Sequence, residues 1–207
     1  MESTKQNPLY TIGYGTRDLD AILQVLKKYQ IKYLVDIRTN PYSRYKPEFN
    51  KQSLKNFLEA QGIHYLFMGD ALGGQPKNID CYRDGKVDYE KVAEQPFYLK
   101  GINRLAEASR LEHNVVLMCS EEKPENCHRT KLIGKTLLSL GIEVLHIDQE
   151  DELLSQEKVI LRLTDGQLSL FGDDFLTFTS RKRYLDKDEE SNDRLYRDRD
   201  SESKNNG

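Results

Sequence analysis

LYTIGYGTRDLDAILQVLKKYQIKYLVDI, residues 9–37, changes its hydrophobic period twice. Leu9 to Ile12 reads as a short apolar strand, and Gly13-Tyr14-Gly15 turns it sharply. Leu19, Ile22, Leu23, Val25 and Leu26 then recur at the spacing of one helix face, with Thr16 or Asp18 available as N-cap. Ile31 to Ile37 returns to a continuous apolar run, the signature of a strand covered on both faces. Strand, helix, strand in that order calls for a crossover and hence a parallel pair.

The alternation continues outward. A helix is predicted over Lys51–Gln61, capped near Asn50 and ended by Gly62, followed by a strand over Ile63–Met68. Gly69 to Val87, with Gly73-Gly74-Gln75-Pro76, reads as a long loop, and such loops are commonly functional. Helices follow over Asp88–Glu94 and Pro96–Leu111, with Pro96 suited to a first turn. Asn114 to Met118 is a strand ending at Cys119, Asn126–Leu140 a helix with Asn126 as cap and Gly141 as terminator, and Ile142–Ile147 a last clear strand. The expected fold class is α/β: three layers, a mostly parallel sheet with crossover helices, Rossmann-like or rhodanese-like.

The domain is expected over 1–150, an extension over 151–180 in which Val159–Leu163 offers one more strand, and a tail over 181–207. In that tail 16 of 27 residues are charged, eight of each sign, and only Tyr184, Leu185, Leu195 and Tyr196 have apolar surface to bury. So little burial does not offset ordering entropy, so disorder is expected there. The net charge of the 207-residue chain is −3, which excludes a global basic field and leaves any nucleic-acid contact to a local patch. Three cysteines, Cys81, Cys119 and Cys127, do not make a disulfide framework, which favours a reducing compartment. Met1–Pro8 is polar and no stretch has the length and apolarity to span a bilayer, so a cytoplasmic protein without membrane contact is expected.

In open parallel sheets, ligands sit beyond the carboxyl ends of the strands, which selects three loops. Gly13-Tyr14-Gly15-Thr16-Arg17 allows close backbone approach and leads to a helix N-terminus; a plain tight turn explains it equally well, and without a third glycine it is no dinucleotide fingerprint. No cofactor is therefore assigned. Asp36-Ile37-Arg38 through Lys46 carries Arg38, Ser43 and Arg44 with Tyr42 and Tyr45, chemistry for phosphate and for base stacking; the alternative is that Arg38 pairs with Asp36 or Glu48 and stiffens the loop. Cys119 through Arg129 brings two thiols, an imidazole, carboxylates and a guanidinium together. Three readings stay open: an anion or catalytic site of Cys127, His128 and Arg129 at a helix N-terminus, a zinc site of Cys119, Cys127, His128 and Glu121, or a structural strand end. No metal is assigned. The Cys-x5-Arg nucleophile loop fails on spacing, because Glu125 stands where the arginine belongs.

TIGYGTR, VDIRTNPYSRYKPEFN, GIHYLFMGDALGG and VVLMCSEEKPENCHR, spread over residues 8–148, together resemble the DUF488 family, a domain of unknown function. The resemblance implies an α/β fold and a pocket built from these segments, and implies no reaction. The family positions that map here are Arg17, Asp36, Arg38, Ser43, Arg44, Phe49, Gly73, Gly74, Cys119, Glu121, Cys127, His128 and Arg129. Tyr14 departs from the family's histidine, which puts a catalytic role at that position in doubt.

Gln167-Leu168-Ser169-Leu170-Phe171 fits the peptide pattern that docks on the bacterial DNA sliding clamp, with Leu170 and Phe171 as apolar anchors, Leu168 beside them, and Gln167 bonding at the rim. An edge strand paired with Val159–Leu163 is the rival reading. Three functions follow. In a DNA-processing or repair-associated factor, Thr16, Arg17, Arg38, Ser43, Arg44 and Arg129 hold phosphate of a nucleic acid or nucleotide. Cys119 or Cys127 is its nucleophile, Glu121 the orienting carboxylate and His128 the acid or base. The second is a sensor with the same pocket and no turnover; the third, a metal-binding or redox protein using the cysteines.

Overall fold

The computed structural model describes residues 6–163 and 179–185. Its six-stranded sheet has the order β3 (His64–Phe67), β2 (Ile31–Asp36), β6 (Asn114–Cys119), β1 (Leu9–Gly13), β7 (Val144–Ile147) and β8 (Leu153–Ser155). All neighbours are parallel except β7 and β8. The three-layer α/β expectation therefore holds. Alternation along β6 separates the two cores. Val116 and Met118 face helices α1 (Leu19–Lys28) and α2 (Lys51–Ala60), which contribute Ile22, Leu26, Leu54 and Leu58. Val115, Leu117 and Cys119 face the other layer, where α5 (Pro96–Ala108) brings Tyr98, Ile102 and Leu105.

Asp18 caps α1 by accepting from Ala21 N–H at 2.8 Å. Asn50 stands before α2 without capping it, because its Oδ1 takes the Ser43 N–H at 2.7 Å and ties the β2 exit loop instead. The predicted loop 69–87 is more structured than expected: it holds helix α3 (Gly69–Leu72) and the hairpin β4 (Tyr82–Arg83) and β5 (Lys86–Val87), before α4 (Tyr89–Ala93). The helix predicted from Asn126 starts later. Pro124–Asn126 is a 3-10 turn, Cys127 is extended (φ −113°, ψ 150°), and Arg129–Gly134 winds as a π-helix into α6 (Lys135–Ser139).

One prediction beyond residue 150 is corrected. Val159–Leu163 is not a strand; it lies in helix α7 (Gln156–Leu163), whose Gln156 and Val159 are buried on one face. A five-residue, mostly apolar run is ambiguous in period, and the packing of Val159 three residues after Gln156 decides for helix. The sheet is instead extended by β8. Gln156 closes a buried chain: its Nε2 donates to Thr130 O (3.0 Å) and its Oε1 accepts from His146 Nε2 (2.6 Å), while His146 Nδ1 meets Thr11 Oγ1 (2.7 Å). The amide oxygen accepts only, so the proton sits on Nε2.

Segment 179–185 packs on the β4–β5 hairpin. Thr179 bridges Asp88, Ser180 N–H donates to Val87 O (2.9 Å), Val87 N–H donates to Ser180 Oγ (2.9 Å), and Tyr184 N–H donates to Gly85 O (2.7 Å). Among the described residues no helix is long and apolar enough to cross a membrane.

Candidate functional site

Strand order places the site. The chain leaves β2 toward β3 at one edge and leaves β6 toward β7 on the other side of β1, so the loops after β2 and β6 diverge. A crevice opens between them at the carboxyl ends of the strands. It holds a cavity of about 160 Å³. Arg38, Thr39 and Asn40 form the β2 side, Cys119, Ser120 and Glu121 the β6 side, and Gln75 and Tyr89 close it. Ser180, Arg181, Lys182 and Tyr184 form a further wall.

Alternation turns Cys119 to the α5 layer, and there it meets Cys127 and His128. His128 Nδ1 is 3.9 Å from Cys119 Sγ and 3.5 Å from Cys127 Sγ, and the three atoms lie within 4.8 Å of one another. Gly74 makes room for the ring: a Cβ there would stand 2.9 Å from His128 Nδ1. His128 is 93% buried, and its Nε2 has no hydrogen-bond partner among the described residues. A hydrogen bond from the Cys127 thiol, then the charges of His128 and Arg129, hold the Cys119 thiol well below its ordinary value against the cost of burial. Burial first, and then Cys119, pushes Cys127 up. One proton is thus kept on Cys127 and Cys119 is the more acidic sulfur. All three cysteines are free.

The backbone after Cys119 has a fixed orientation. Tyr14 N–H donates to Cys119 O (3.1 Å) and Gly15 N–H to Ser120 O (3.2 Å), so both carbonyls face the β1 side. Peptides here are trans. The N–H groups of Ser120 and Glu121 therefore point the opposite way, toward the β2 side where the cavity lies, and neither donates to any described residue. Arg129 fixes the next turn: fully buried, it donates from Nη1 to Glu121 O (2.6 Å) and from Nη2 to Glu122 O (2.7 Å). Gly13 gives that guanidinium its place, since a Cβ there would lie 1.7 Å from Glu121 O and 2.4 Å from Arg129 Nη1.

Of the expected phosphate holders, three arginines are committed to internal acceptors. Arg38 pairs bidentately with Asp36 (2.8 and 2.6 Å) and reaches Phe49 O (2.8 Å), as the stiffening alternative had it, and Tyr65 OH donates to the same carboxylate (2.7 Å). It still lines the cavity. Arg17 is held by Gly13 O (2.9 Å), Asp148 O and Asp151 (2.6 Å), and Arg129 by the two carbonyls above. Arg17, Arg38 and Arg129 thus meet internal acceptors first, because an unpaired charge away from water is costly. Ser43 Oγ accepts from Tyr45 N–H (3.2 Å) and Lys46 N–H (3.1 Å), and Thr16 Oγ1 donates to Glu122 (3.0 Å). Arg44 is exposed on the β2 loop, between Tyr42 and Tyr45 at 62% and 93% exposure. Glu121 pairs with Arg181 at 3.6 Å.

Sequence reasoning missed Gln75, Ser180, Arg181, Lys182 and Tyr184 as cavity residues. Only Tyr184 and Leu185 carried a signal, as apolar residues in a charged run. Gln167, Leu168, Leu170 and Phe171 lie outside the described residues. No curated protein and no solved structure matches the chain. The family model described as Domain of unknown function DUF488 matches residues 18–135, more than half of the chain and the span that builds the β2 and β6 sides of the cavity, so the chain belongs to the DUF488 family.

Proposed function

We propose that the crevice between the β2 and β6 loops binds a phosphate-bearing ligand, a nucleic acid or a nucleotide, and presents it to Cys119, Cys127 and His128 as the reacting end. The observation that carries this reading is the pair of N–H groups at Ser120 and Glu121, without an acceptor among the described residues, beside an acidic thiol. Successive backbone N–H groups in a loop after a strand make a concave anion seat. Arg181 and Lys182 add charge at the mouth, and Arg181 makes an exposed 3.6 Å pair with Glu121 that an incoming phosphate can replace. Exposed Tyr42, Arg44 and Tyr45 on the adjoining loop supply stacking faces and a cation for a polymeric ligand.

A DNA setting follows from Gln167–Phe171 as a clamp-docking peptide. Seven residues separate Phe171 from Thr179, so a docked clamp would hold the crevice within about 25 Å of the peptide. The test uses fluorescence anisotropy with a labelled single-stranded oligonucleotide, competed by a nucleoside monophosphate, on wild type and Arg181→Ala/Lys182→Ala. The expected result is binding that falls at least ~10-fold in the double variant and weakens with salt. No binding by folded wild type at low salt, or equal binding by both proteins, would remove this reading. Bacterial sliding clamp captured by wild type and lost with Leu170→Ala/Phe171→Ala tests the docking separately.

A further inference from the structure

The cluster at the floor of the crevice sets two sulfurs and one ring nitrogen at the spacing of a metal site. A tetrahedral zinc with Zn–S near 2.3 Å and Zn–N near 2.0–2.1 Å sets S···N edges of about 3.6 Å and S···S edges of about 3.8 Å. The distances from His128 Nδ1 to the two sulfurs are 3.5 and 3.9 Å, and all three donor atoms fit within 4.8 Å. Two thiolates and an imidazole are a donor set that selects zinc among common divalent ions.

His128 turns Nδ1 to the sulfurs, and its buried Nε2 has no partner among the described residues. Gly74 allows this placement, since any Cβ there would press on the ring at 2.9–3.0 Å.

We propose that Cys119 Sγ, Cys127 Sγ and His128 Nδ1 hold one zinc-class divalent cation, with its fourth coordination position open to the crevice for water or for an oxygen of the bound ligand. Three protein ligands and one open position is the pattern of a catalytic rather than a structural zinc. The inference rests on the crevice being the ligand site and adds what stands at its floor. Cys81, buried but outside the cluster, has no part in it.

The experiment uses the full chain purified without chelator. Metal content is measured by mass spectrometry of the elements, and protein stripped of metal is titrated with Co²⁺ while the sulfur-to-cobalt charge-transfer band is followed. The expected result is about one zinc per chain in wild type and Cys81→Ser, and a cobalt–thiolate band in stripped wild type. Gly74→Ala should weaken Co²⁺ binding by ~10-fold or more through displacement of the ring. Zinc should also shield Cys119 and Cys127 from iodoacetamide in wild type, a readout that needs no variant to fold. Metal-free protein whose stripped form gives no cobalt band and whose Cys119 alkylates equally with and without zinc would overturn the inference. Oligonucleotide binding measured on the same stripped protein separates the two readings: if it persists, the crevice remains a ligand site with Cys119 as a bare thiol.

Discussion

Replacing Arg129 with Met keeps most of the side-chain stem and removes the two donors that fix the turn after Cys119. Both lost bonds are charge-assisted and part-buried, to Glu121 O at 2.6 Å and Glu122 O at 2.7 Å. Such bonds contribute roughly 1.5–3 kcal/mol each, so about 3–6 kcal/mol is withdrawn. Relief from burying the guanidinium offsets part of this, because Arg129 is wholly buried and its Nε has no partner among the described residues. A net loss of about 2–4 kcal/mol remains. The same two carbonyls set the direction of the loop's peptide planes, so the seat at Ser120 and Glu121 should disperse with them. Urea unfolding gives the first quantity, and oligonucleotide anisotropy on the folded variant gives the second, expected to fall at least ~10-fold. An Arg129→Met protein with wild-type midpoint and wild-type affinity would refute the reasoning that this arginine aims the loop.

His146 is held neutral by burial, its pKa lowered from 6.5 to about 3. The unfolded chain then binds the extra proton between those values, so the stabilisation is complete above pH 6.5 and declines as pH falls toward 3; from pH 7 to pH 5 the loss is about 2 kcal/mol. Urea midpoints should show that slope in wild type, with a flatter one in His146→Gln; parallel slopes would contradict it. Gly13→Ala places a methyl 1.7 Å from Glu121 O, so binding should be lost even where the variant folds, as anisotropy and circular dichroism report together. Asp36→Asn leaves the buried Arg38 guanidinium without its carboxylate and should cost about 3 kcal/mol in urea unfolding, whereas a change under ~1 kcal/mol would mean the pair is not buried as described.

The sheet was legible because its strands are covered on both faces and so are written as unbroken apolar runs between periodic helices, as in residues 9–37. The strand-end rule selected three loops, of which those after β2 and β6 line one cavity with Arg38, Cys119, Glu121, Cys127 and His128, while Gly13 to Arg17 do not reach it. What the sequence hid was the fate of its arginines. Arg17, Arg38 and Arg129 look like phosphate ligands in one dimension, but each enters a buried environment where Asp151, Asp36 or a carbonyl pair reaches it first. The wall formed by Ser180 to Tyr184 was equally hidden, because its order comes from backbone bonding to the β4–β5 hairpin rather than from its own composition. The amides of Ser120 and Glu121, without an acceptor among the described residues, carry no signal in residue types at all.

Those amides are also where the account is most exposed. Amide proton and nitrogen shifts of the full chain, followed while a nucleoside monophosphate is added, report directly on which N–H groups meet phosphate. The expected result is saturable movement centred on Ser120 and Glu121, with Arg181 and Lys182 following. Saturable movement confined to other parts of the chain, with Ser120 and Glu121 unmoved, would contradict it.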